Sequence, residues 1–137
     1  MTEIQDIKKL IEGKRVVSVS QDDETLTLDD GTILHLYESY SDCCASAYGN
    51  WVTHPDALQA IITDVKIEVT KDRVDNGDGS YSEAVVTILH NQNPIAQAEC
   101  YANDGNGGYY YSILSMRVSV PKRGLSREDT IIEVVSA

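Results

Sequence analysis

Apolar residues near the start of the chain fall at Ile4, Ile7, Leu10 and Ile11, the spacing of one helix face, and Gly13 follows as a stop. This predicts a short amphipathic helix over 3–12, with Thr2 as its N-cap. After Gly13 the period becomes two. Val17 and Val19, then Leu26 and Leu28, then Leu34 and Leu36 alternate with polar neighbours, and "QDDE" and "DDG" separate the runs as turn sequences. A three-stranded antiparallel meander over about 14–38 is expected.

Residues 39–60 show no strand period and read as the longest irregular segment. Thr53 and Pro55 suggest the start of a second short helix within 53–60. Strand patterning then returns. Ile61, Thr63, Val65, Ile67 and Val69 share one face; "YSEAVVTILH", "IAQAECYA", "YYYSILSMRVSV" and "TIIEVVS" follow, separated by turn-rich segments. About eight strands and one or two short helices in a single domain over 1–137 make an α+β fold, mainly antiparallel β.

Composition narrows the possible partners. Twenty-two Asp and Glu against eleven Lys and Arg give a net charge of −11. Such a surface repels phosphate backbones and anionic membranes, which weighs against a nucleic-acid binder; it suits a protein partner with a basic surface, although solubility alone is the simpler account of the charge. The N-terminus has no apolar core of signal-peptide length, and no run approaches the roughly 20 apolar residues of a membrane span. Three cysteines, an odd number, do not form a closed disulfide framework. The chain reads as cytoplasmic.

The densest chemistry lies in "YSDCCASAYGNW". Adjacent residues in extended chain point to opposite sides, so Cys43 and Cys44 make a poor chelating pair. The spacing of His35, His54 and His90 matches no zinc pattern, and no nucleophile context surrounds either thiol. The segment reads instead as a structural corner. Asp42 would bond to backbone N–H groups one or two residues on, with one cysteine inward and its neighbour at the rim. Cys100 shares a face with Ala96, Ala98 and Ala102, a small-residue surface suited to close packing, and burial of at least two of the three thiols is expected. "DRVDNGDGSYSE" resembles a calcium loop, but Val74 stands at a ligand position and the flanks are strands, so a hairpin turn is the better account. "GNGG" lacks the Lys-Ser or Lys-Thr of a phosphate loop. No cofactor is implied. The aromatic residues are the stronger functional lead, with Tyr48, Trp51, Tyr109 and Tyr111 as candidate contact residues.

"GKRVVSVSQDDETLTLDDGTILHL", then "DCC", an Ile-rich strand and "NGGYYYSILSMRV" resemble an uncharacterised family, a domain of unknown function found in bacteriophage and bacterial proteins. "LDDGT", Asp-Cys-Cys after the third strand and Asn-Gly-Tyr-Tyr are the shared motifs, from about Gly13 to Val120. An added Gly107 or Gly108 precedes the tyrosines here, and the tail beyond Pro121 falls outside the resemblance. The resemblance carries no activity and no catalytic residue. It implies a small acidic phage accessory protein acting on a host protein. A virion decoration protein is one alternative. The other is a small-molecule or cysteine/metal site in the 39–54 segment, with Cys43 or Cys44, a histidine and Trp51 sharing a pocket.

Overall fold

A computed structural model describes residues 2–42, 44–54, 59–105, 110–124 and 126–137. Helix α1, Ile4–Ile11, forms as its apolar spacing predicts, with Ile7 and Ile11 fully buried. Its N-cap is Glu3 rather than Thr2. The Glu3 and Asp6 side chains and backbone N–H groups reciprocate as a capping box, which satisfies donors of the first turn.

Among the described residues nine strands follow: β1 Val16–Val19, β2 Thr25–Leu28, β3 Ile33–Ser41, β4 Ser46–Thr53, β5 Asp64–Asp75, β6 Ser80–His90, β7 Asn93–Asn103, β8 Ser112–Pro121 and β9 Arg127–Ser136. All pairings are antiparallel, in two sheets ordered β1-β2-β3-β8-β9 and β4-β7-β6-β5. The meander β1–β3 forms as expected, except that on β1 Val16 is buried and Val17, expected inward, is exposed, because the pairing with β2 shifts register between Val16 and Ser18. The 72–83 hairpin also forms as expected: Asn76 N–H bonds to Gly79 C=O while the Asp75 and Asn76 side chains accept N–H bonds within the turn.

Much of the segment expected to be irregular is strand. β3 runs on to Ser41, and Ser46–Thr53 is a full strand paired along its length with β7. Thr53 therefore ends a strand. The rest of the expected second helix falls on residues 55–58, outside the described residues. A second difference concerns the strands on either side of "NDGNGG": β7 and β8 lie in different sheets and are not paired as a hairpin.

The sheets pack face to face around one apolar core, with β3, β8 and β9 against β4, β6 and β7, and α1 against β5, β8 and β9. Leu34, Leu36, Leu114, Met116 and Val118 supply one inner face; Val86, Ile88 and Trp51 supply much of the other. Ala96, Ala98, Cys100 and Ala102 are all buried on β7, as their alternation predicts, and they keep this layer thin. Gly49 extends that thin surface onto β4. A Cβ there would lie 3.0 Å from Cys100 Sγ, 3.0 Å from Leu114 Cδ2 and 3.2 Å from Leu36 Cδ1. Gly49→Ala is expected to lower stability by about 1–3 kcal/mol in urea denaturation, because the opposing sheet must give way; an unchanged midpoint would show slack between the layers.

The free edge of β4 is covered by local groups. Trp51 N–H donates to the Asp23 carbonyl at 2.6 Å and Ala47 N–H to the Glu38 carboxylate at 3.1 Å. Such covering blocks edge-to-edge pairing. The far edge, β5, is interrupted by register shifts between Val69 and Val74 and carries Lys71, Asp72 and Arg73, a second protective device.

Candidate binding surface

Alternation along β4 sends Ala47, Gly49 and Trp51 inward and Tyr48, Asn50 and Val52 outward. Trp51, expected at a contact surface, is 1% exposed and belongs to the core. Tyr48 is on the surface, 54% exposed, and Val52 beside it is 64% exposed. Tyr48 pairs in register with Tyr101 of β7, and Tyr101 pairs with Glu83 of β6, next to Tyr81 on the same face. The three rings form a row, with centroids 5.2 Å apart for Tyr48–Tyr101 and 5.9 Å for Tyr101–Tyr81. Lys71 closes the row: its ammonium lies 5.6 Å from the Tyr81 ring centre and 3.9 Å from the Glu83 carboxylate.

Tyr81 and Tyr101 were not singled out from the sequence. The signal was present, because the alternation that turns Cys100 inward turns Glu99 and Tyr101 outward. A shallow groove of about 370 Å³ runs over this face, lined by Tyr48, Asn50, Val52, Glu83, Glu99 and Tyr101 among others. The β1–β2 turn stands at its margin, where the Asn50 amide donates to the Asp22 carbonyl. The Asp22 carboxyl is held below its ordinary value by hydrogen bonds from the Ser20 hydroxyl and the Glu24 N–H, so it is a stable anion there.

A second aromatic pair marks the corner between β3 and β4. Tyr40 and Tyr111 stack at 4.6 Å, and Tyr111 is 46% exposed. Asp42 ties them together. Its carboxylate accepts from the Tyr40 hydroxyl at 2.8 Å and from Tyr111 N–H at 3.3 Å, while Asp42 N–H donates to Tyr111 C=O at 3.0 Å. These partners come from across the fold and from two residues back, whereas the sequence suggested N–H groups one or two residues on. The turn closes through Ala45 N–H to Asp42 C=O at 3.1 Å. Cys44 is exposed and has a positive φ of 77°. Cys43 and Tyr109 lie outside the described residues.

The Asp42 hydrogen bond, with a further contribution from Tyr111, raises the Tyr40 hydroxyl to about 12. Between the ordinary tyrosine value and that one, the folded chain keeps a proton that the unfolded chain has lost, so this group lowers stability as pH rises through the interval. Ultraviolet titration is expected to show one late-ionising tyrosine that reverts toward 10.0 in Asp42→Asn; a wild-type titration without a late component would count against the bond.

Burial first, and Glu99 second, pushes the Cys100 thiol up to about 12. The native thiol is expected to resist alkylation until the protein unfolds, while exposed Cys44 reacts without denaturant. Mass mapping of alkylated peptides checks both, and native labelling at Cys100 would show that the sheets part readily.

His35 lies on the outer face of the β1-β2-β3-β8-β9 sheet, where its Nδ1 accepts from Arg117 at 3.2 Å, and His90 Nδ1 meets the Ile61 carbonyl at 2.7 Å at the end of β6. The pocket of cysteine, histidine and Trp51 is not formed by the described residues. No group of three or more His, Cys, Asp or Glu among them is placed to hold a metal ion, and no helix is long and apolar enough to cross a membrane.

The family described as "Domain of unknown function (DUF7448)" matches residues 8–116. No curated protein and no solved structure matches the chain.

Proposed function

We propose, for a chain that belongs to the DUF7448 family of domains of unknown function, a non-enzymatic binding module: a small acidic phage accessory protein that docks on a basic surface of a host protein. The observation that supports this reading is the row Tyr48–Tyr101–Tyr81 across three adjacent strands, bordered by Val52, Glu83 and Glu99. Tyrosine supplies a large contact area with few rotamers to freeze, and it is enriched where binding energy concentrates. Tyr101 lies between its two neighbours, stacked on Tyr81 and tilted against Tyr48, so the row offers no slots between rings for successive nucleobases, while the outer side of Tyr48 is left exposed. The net charge of −11 works in the same direction. In this reading Asp42, Cys43 and Cys44 form a structural corner, and Tyr111 belongs to that corner as well as to the exposed aromatic surface.

The test is affinity capture from host lysate at low and high salt, with wild type and a Tyr48→Ala/Tyr101→Ala double variant of confirmed folded spectrum. A captured protein identified by mass spectrometry should be lost with the two tyrosines and weakened by salt, since exposed charges are screened over about 10 Å at 0.1 M. Capture indifferent to both changes would remove the reading. Stoichiometric presence of the chain in purified phage particles would replace it with a virion role.

A further inference from the structure

We infer that the groove over Tyr48 and Tyr101 seats an arginine side chain of the basic partner, held between ring and carboxylate; this deepens the docking reading and rests on it. The protein already contains the arrangement at the other end of the same row. There Lys71 lies over the Tyr81 ring and beside Glu83, one cation sharing an aromatic and an acid. At the Tyr48 end the aromatic and the acid are present and the cation is not supplied by the chain. Tyr48 is more than half exposed, and Glu99 stands on the groove floor one position along the sheet face from Tyr101, the register partner of Tyr48. Glu99 has no ion-pair or hydrogen-bond partner for its carboxylate among the described residues. Glu83 lines the same groove, its link to Lys71 long at 3.9 Å and half exposed, so its charge is only partly neutralised.

Charge and shape favour arginine over lysine. Val52 and Val85 share the lining with the two rings, so much of the floor is apolar. A guanidinium is flat, weakly hydrated and able to stack on a tyrosine while its edge forks onto a carboxylate, whereas an ammonium keeps its water. The outer face of the other sheet holds an arginine over a tyrosine in this way: the Arg117 guanidinium lies 5.3 Å from the Tyr37 ring centre.

The experiment titrates the isotope-labelled protein with three blocked tripeptides at equal ionic strength: acetyl-Gly-Arg-Gly-amide, its lysine counterpart and its uncharged citrulline counterpart. Amide shifts are read by two-dimensional NMR. The arginine peptide should give saturable shifts centred on Tyr48, Val85, Glu99 and Tyr101, roughly two- to fivefold tighter than lysine, with citrulline near background. Glu99→Gln and Tyr48→Leu are surface changes expected to leave the spectrum folded, and each should weaken the arginine response severalfold. Equal responses to arginine and citrulline, shifts spread over the whole acidic surface, or an unchanged response in Glu99→Gln would each overturn the seat. A host protein whose capture needs Tyr48 and Tyr101 but ignores Glu99→Gln and competing arginine peptide would also overturn it, while leaving the docking face intact. Loss of tyrosine-dependent capture alongside an intact arginine response would sink the docking reading instead.

Discussion

Trp51→Ala is expected to lower stability by about 3–5 kcal/mol, the range for truncating a large buried aromatic in a core that relaxes only partly. The ring is 1% exposed and enters the space between the sheets from β4, opposite Ala98 in register. The row Ala96, Ala98, Cys100 and Ala102 on β7 leaves room for it, and nothing on that small-residue face can expand to refill the hole. The Trp51 N–H also anchors the β1–β2 turn through the Asp23 carbonyl, and that bond survives the truncation because it is backbone. Trp51→Phe separates volume from polarity. The indole Nε1 is buried without a partner among the described residues. Phenylalanine removes that cost along with part of the ring, so the expected loss is smaller, about 1–2 kcal/mol. Circular dichroism in urea measures both variants, since the substitution removes the single tryptophan. A loss below about 1 kcal/mol for alanine would place the ring outside the load of the core.

The same residue shows where sequence patterning stops being informative. The helix, β2 and β3 were legible because their inward positions are Ile and Leu at a clean period, whereas the bulge on β1 buries Val16 in place of Val17. β4 hid because its inward set is Ala47, Gly49 and Trp51, and its outward set includes Tyr48 and Val52. Hydrophobicity therefore carries no alternation there, although side-chain volume does. Small inward residues are meaningful only beside a partner layer that comes close, and that layer, with Leu36 and Leu114, lies far away in the chain. The same blindness placed Trp51 at the surface and gave eight strands instead of nine. On β7 the small inward residues draw the eye to the buried face, so Tyr101, the ring neighbour of Tyr48 on the outward face, is easily missed. The crossing from β7 to β8 was invisible for another reason: a glycine-rich stretch reads alike whether it closes a hairpin or bridges two sheets.

Gly105→Ala is expected to cost about 2–4 kcal/mol, because two independent penalties meet at one position. The residue has a φ of +73°, a left-handed conformation that a side chain resists. A Cβ there would also stand 2.9 Å from the Cys44 carbonyl carbon and its oxygen. Both are backbone atoms, with no flexible side chain to swing aside. Around it the structure is interlocked. Gly105 N–H bonds to the Asn103 side chain, and buried Asp104 accepts from Ser80 N–H at 2.8 Å, joining this loop to the start of β6. The strain therefore cannot be relieved by moving residues 103–105 alone and must be passed to the corner at Cys44. Two readouts follow. Urea denaturation should show the loss of stability, and alkylation of native Cys44 should change in rate, since its already positive φ of 77° depends on what packs against it. Gly124→Ala is the control: it shares a positive φ, here 76°, but has open space around the added Cβ. It should cost only the conformational part, about 1–2 kcal/mol, and leave Cys44 labelling unchanged. If the two variants lose the same stability and neither alters labelling, contact between Gly105 and the corner contributes nothing.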